Sequence, residues 1–180
     1  MMKAKELALG GIMVAVSTVI LYLSAILPIS TISILTVASA VIPICIIRAD
    51  IKTSIFVYIA TSILVFFIAP INISILYTVF FGIYGIVKYF TERKHSVIIE
   101  MILKIIFFNI SFLIGFFIME KVLGINITAG IEQIISRFYD GSYKVISFVI
   151  LWLVAQPIFL IYDYALTLII TIYIERIHKI

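Results

Sequence analysis

Six long apolar runs make up almost the whole chain, and that feature leaves few folds open to it. They cover residues 7–27, 32–47, 51–69, 73–90, 97–119 and 145–174. A helix needs roughly 20 residues to cross a bilayer's hydrocarbon core. Inside lipid every backbone N–H and C=O must be bonded within the protein, which an α-helix achieves alone. The expectation is therefore an all-α, polytopic membrane protein: one integral domain over residues 1–180, a six-transmembrane-helix bundle. At 64% hydrophobic and 12% charged residues, with mean hydropathy +1.31, the chain departs far from soluble domains, which run at about 45–50% apolar and about 25% charged. No length remains for a soluble catalytic or nucleic-acid-binding domain. The net charge of +4 lies in the loops, so no nucleic-acid partner is expected and the lipid bilayer is the implied surrounding.

The breaks between runs carry the topology. Pro28 ends the first run and Pro70 the third, while Arg48-Ala49-Asp50-Ile51-Lys52 splits the second from the third into a tight hairpin. Lys3 and Lys5 ahead of an apolar stretch resemble a signal peptide. The run is too long for an h-region, however, and Ser24-Ala25-Ile26 is a poor cleavage site, so it reads as an uncleaved first span. One side of the bundle receives Lys3, Lys5, Arg48, Lys52, Lys88, Arg93, Lys94, Arg176 and Lys179. The other receives no Lys or Arg in its first two loops. Its third loop, 120–144, balances Lys121, Arg137 and Lys144 with Glu120, Glu132 and Asp140. By the positive-inside rule both termini are cytoplasmic. Within that loop Ile127, Ile131, Ile134, Ile135 and Phe138 fall at helical spacing, which predicts a short amphipathic helix over 127–139, either interfacial or a lid.

Much chemistry is excluded. There is no Gly-rich phosphate loop, no paired metal-ligand cluster and no nucleophile motif, so neither a cofactor nor a metal is expected, and no catalytic residue is assigned. Cys45 lies in an apolar run and reads as a buried thiol. His95 and His178 sit at span ends beside other charges, as solvated interface residues do. Asn126-Ile127-Thr128 matches a glycosylation acceptor only weakly.

Three groups of residues stand out. Asp163 lies deep in the last run, where a carboxylate is expensive and needs a partner. Lys104 lies at comparable depth in the fifth run, and an Asp163–Lys104 ion pair would resolve both placements, as a structural pin or as part of a proton relay. Glu100, one turn before Lys104, is an alternative partner. In the outer half, Asn72, Tyr77, Asn109, Trp152 and Gln156, with Ser74 and Ser111, are neutral and polar. They suit a site for a small uncharged ligand, or else they join helices by hydrogen bonds. On the first span Ala4, Ala8, Gly11 and Ala15 form a small-residue stripe open to close helix approach.

These features together resemble the substrate-binding S components of energy-coupling factor vitamin transporters: about 180 residues, six spans and a small-residue motif on the first span, here Ala8 and Gly11-Ile12-Met13-Val14-Ala15. The resemblance implies a bacterial plasma-membrane protein that captures a vitamin-like molecule from outside. It implies substrate contacts at Asn72, Tyr77, Asn109, Trp152 and Gln156. It also implies docking through Ala8, Gly11 and Ala15 to a coupling transmembrane subunit that works with ABC ATPases in trans. Glycine departs from the family's alanine motif, and the first outer loop is very short. The competing class is a non-transporting membrane scaffold resembling the rod-shape protein MreD. An intramembrane enzyme using Asp163 or Glu100 lacks a second positioned group.

Overall fold

A computed structural model describes residues 4–27, 31–93, 96–137 and 143–176. Its described residues form helices α1 (Ala4–Ile26), α2 (Thr31–Arg48), α3 (Ile51–Ile68), α4 (Ile71–Leu76), α5 (Gly82–Thr91), α6 (Val97–Phe117), α7 (Ala129–Ile135) and α8 (Lys144–Arg176). α4 continues into α5 through a π turn at Tyr77–Phe81, and α6 ends in a second at Ile118–Val122. Counting α4–α5 as one, six of these units are long and apolar enough to cross a membrane, so the chain is the all-α, six-span membrane protein its apolar runs predict. The isoleucine and valine content does not oppose helix here, because lipid offers the backbone no other hydrogen-bonding partner.

Local chemistry sets the ends. The Asp50 carboxylate caps α3, accepting the Thr53 N–H at 2.8 Å, and Pro70 follows the last turn of α3, where Ala69 N–H still reaches the Val65 carbonyl at 2.9 Å. Such short connections force successive helices to run antiparallel. One end of the bundle therefore carries the α2–α3 turn, the end of α5, the start of α6 and the end of α8; it is called the charged end below. There the Arg48 guanidinium donates to the Tyr173 hydroxyl and lies 5.4 Å from its ring centroid, which ties α8 to α2.

α2 is the central helix, packed by α1, α3, α5 and α8. α5 reaches it closely because Gly85 has no Cβ: one built there would lie 2.7 Å from Pro43 Cδ and 3.1 Å from Ile42 Cβ. Cys45 is fully buried in the same layer with Ile42, Ile46 and Val57. α6 and α8 are more peripheral. Their backbones do not pack closely; they meet through rings, with Phe108 stacked on Phe159 at 4.5 Å and Phe116 edge-on to Phe148 at 4.7 Å.

Of the amphipathic helix expected over 127–139, positions 138 and 139 lie outside the described residues. Helix forms over Ala129–Ile135 and packs on α8. It is anchored by a polar knot: Thr128 Oγ1 donates to Glu132 at 2.7 Å and Asn126 Nδ2 donates to Glu132 at 3.2 Å. Asn126, read as a weak glycosylation acceptor, thus has its amide engaged. Lys3, Pro28, Lys94, His95, Phe138, Asp140, Gly141, His178 and Lys179 lie outside the described residues.

Candidate functional site

Near the charged end, α5, α6 and α8 converge on a cluster of ionisable groups. Asp163 Oδ1 accepts from Lys88 Nζ at 2.5 Å and from the Tyr84 hydroxyl at 2.8 Å, and its Oδ2 accepts from Lys104 Nζ at 3.2 Å. Lys88 also donates to Thr167 Oγ1 at 2.8 Å and pairs with Glu92 at 2.5 Å. Lys104 pairs with Glu100 at 2.6 Å and Glu92 at 2.9 Å. Lys104 therefore donates to three oxygens, its full donor complement, while Lys88 donates to two and has Glu92 as a third, ion-paired neighbour. The lysine side chains are 1% and 3% exposed, Asp163 15% and Glu92 38%, so the cluster runs from a dry interior to one wetter edge.

The structure brings Lys104 and Asp163 together but makes the pair one strand of a larger knot. Lys88 is the correction. The sequence places it among the loop charges at a span end, whereas it is buried on α5 and makes the shorter contact to Asp163. A signal for it exists: Tyr84, Lys88 and Glu92 recur every four residues, which puts them on one helix face.

Toward the opposite end the bundle holds a cavity of about 420 Å³. Its walls come from α2, the first π turn, α6 and α8, and include Phe80, Phe108, Phe112, Phe116, Phe159 and Tyr162. Ile127 and Met119 line the part of it farthest from the charged end. Tyr162 links the two features: its ring lines the cavity, its hydroxyl donates to Ser39 Oγ at 3.1 Å, and the next residue is Asp163.

The first π turn builds this wall. A π turn adds a residue to the helical register and leaves backbone groups to be satisfied otherwise, and such turns concentrate at functional positions. Here the Tyr58 hydroxyl donates to the Thr78 carbonyl at 2.7 Å. Its ring fits only because Gly82 lacks a Cβ, which would lie 2.9 Å from Tyr58 Cδ2. The shifted register turns Val79, Phe80 and Phe81 toward the cavity.

The five residues expected to contact substrate do not converge on it, and none is among the described residues lining the cavity. Three of them meet one another. Asn109 Oδ1 accepts from Trp152 Nε1 at 2.6 Å and Gln156 Nε2 at 3.2 Å, and Asn109 Nδ2 donates to the Ile105 carbonyl at 2.8 Å. This trio spans α6 and α8 on the outer side of their seam, with Trp152 37% exposed. Tyr77 is fully buried on the far side of its helix, its hydroxyl 3.5 Å from Ser17 Oγ. Asn72 is exposed at the start of α4. On α1, Ala8, Gly11 and Ala15 are exposed, and a Cβ on Gly11 would meet nothing within 4 Å.

Fold and site together define a six-span helical membrane protein with an aromatic-walled, partly open cavity standing on a buried ionic knot. Residues 15–147 match the family described as predicted membrane protein (DUF2232), and the chain belongs to it. No curated protein and no solved structure is significantly similar to the chain.

Proposed function

We propose that this protein is a substrate-capture subunit of a transporter. It takes a small, flat, mainly apolar molecule into the cavity and works with a coupling membrane subunit and ATP-hydrolysing partners in trans, as the S components it resembles do. The observation that carries this reading is the cavity itself. At about 420 Å³ it falls within the ~300–1,000 Å³ typical of small-molecule sites, and it is lined as those sites are by aromatic surface with few polar groups. With both termini cytoplasmic, as the loop charges imply, the cavity lies in the outer half. The reading changes the expected ligand chemistry. Ser111 and the Tyr162 ring replace the cluster of amides, so stacking and apolar contact dominate recognition. The exposed small face of α1 supports docking to a partner helix, and the reading assigns no catalytic role to the knot.

One observation favours the scaffold alternative: where the predicted polar residues meet, they bond helix to helix, as in Trp152–Asn109–Gln156. Affinity isolation of the tagged protein from native membranes, with mass spectrometry of associated proteins, separates the two. Recovery of ABC-type ATPases with a coupling membrane subunit supports capture. Recovery of cell-envelope machinery without an ATPase overturns it.

A further inference from the structure

The cavity sits behind a seam that backbone does not close. α6 and α8 lack close main-chain packing, and what separates the cavity from the outside along their line is side chains. On the outer face of that seam lies a second hollow of about 550 Å³, walled by Leu113, Ile114, Phe116, Phe117, Lys121 and Phe148. Leu113, Ile114 and Phe117 are 46–60% exposed, so in a spanning bundle this hollow opens onto lipid. Phe116 belongs to both walls. The partition at that point is the Phe116 ring set edge-on to Phe148, with Phe112 6.4 Å from Phe116. Beside it Gly115 lines the cavity without a side chain, and a Cβ there would meet nothing within 4 Å. Two rings that rotate about their side-chain bonds are a far smaller obstacle than a packed helix pair.

Farther along the same seam the polar trio fastens α6 to α8. The Trp152 and Gln156 donors share one Asn109 oxygen, so losing either leaves the other as the remaining bridge. Inside, the cavity's polar side chains are Ser111 and Tyr162, and the Tyr162 hydroxyl already donates to Ser39. A well-hydrated solute would lose its water here and gain almost nothing in return.

We propose that the cavity's ligand is a small apolar molecule dissolved in the bilayer, admitted sideways between α6 and α8 past Phe116 and Phe148, with Asn109, Trp152 and Gln156 as the latch on that seam. The inference rests on the cavity being a binding site, and it adds the route and the lipid-phase character of the ligand.

The test uses the full chain in liposomes and adamantyl diazirine, a small apolar carbene precursor, delivered from probe-loaded vesicles. Photolysis at increasing times, followed by peptide mass spectrometry, reads labelling of the outer hollow (Leu113, Phe117) and of the cavity (Phe108, Phe159). Cavity label should lag the outer label in the parent protein. Asn109→Leu, which removes the shared acceptor, and the double change Trp152→Phe with Gln156→Leu, which removes both donors, should each shorten that lag several-fold. Ala155→Trp, which fills the cavity, should reduce cavity label to background and spare the outer label. A lag unchanged by both latch variants overturns the lateral route and leaves the cavity as a binding site. Cavity residues that never rise above background overturn the route and the binding reading together.

Discussion

Replacing Lys88 by Met is the most revealing perturbation of the ionic knot. As built, two ammonium groups face three carboxylates, a net charge of −1, with Lys88 bound to Asp163, Glu92 and Thr167. The substitution leaves Lys104 alone against all three acids, a net charge of −2. Removing one member of a buried ion pair costs about 3–5 kcal/mol. Because Glu92 is 38% exposed, water screens that half of the loss and the cost should lie at the lower end, about 3 kcal/mol. Asp163→Leu adds a second cost by orphaning the Tyr84 hydroxyl, about 1–3 kcal/mol. The double change Lys88→Met with Asp163→Leu should therefore be less damaging than the sum of the singles by about 1–3 kcal/mol. Geometry also fixes an order. Lys88 holds Asp163 at 2.5 Å, whereas Lys104 stands at 3.2 Å with closer contacts to Glu100 and Glu92. Coupling of Asp163 to Lys88 should thus exceed its coupling to Lys104. Equilibrium unfolding of the single and double variants in mixed micelles reads both quantities. Additivity within about 0.5 kcal/mol for both pairs, or the reverse order of couplings, would mean that Lys88 is not the principal partner of Asp163.

Gly85→Ala should cost about 1–3 kcal/mol in the same assay by overpacking against Pro43. Gly11→Leu, whose site is open, should leave the isolated chain's stability unchanged and abolish co-isolation of a coupling subunit. Asn109→Ala removes two bonds between membrane helices and should cost about 1.2 kcal/mol at the mean of about 0.6 each, shift the emission of Trp152, the chain's one tryptophan, and leave equilibrium ligand occupancy nearly intact. A large fall in occupancy would return the trio to the binding wall. At α7, bonding from Thr128 and then from Asn126 holds the Glu132 carboxyl below its usual range. A depressed folded-state pKa contributes stability that is full above the unfolded value of about 4.3 and is lost as pH falls through the folded one. Amide exchange in α7, corrected for intrinsic rates, should accelerate below about pH 4 relative to α2, and Glu132→Gln should abolish that pH dependence.

The bundle was legible because hydrophobic length is a direct consequence of spanning lipid, and Asp163 was legible because a charge in a span is costly wherever it points. Lys88 was hidden by the same rule. A lysine near a span end ordinarily extends its ammonium to the interface, and only the Tyr84–Lys88–Glu92 spacing argued against that here. The cavity left no trace in composition, since a phenylalanine facing lipid and one facing a cavity are the same letter. The π turn was equally silent, because the inserted register at Tyr77–Phe81 depends on Tyr58 from α3 and on the absent Cβ of Gly82. The sequence groups Asn109, Trp152 and Gln156 with Asn72 and Tyr77 by polarity and depth alone, and only the first three meet. Which side of those helices they occupy is set by how α6 and α8 turn their rings inward.

A capture subunit must hold a small molecule in its cavity. Native mass spectrometry of the gently extracted protein beside its Ala155→Trp variant tests that most directly. A bound species of defined mass should appear on the parent chain and be absent from the folded variant, in which an indole occupies the cavity. The same adduct on both chains, or none on either after exposure to native membranes, would contradict the capture role.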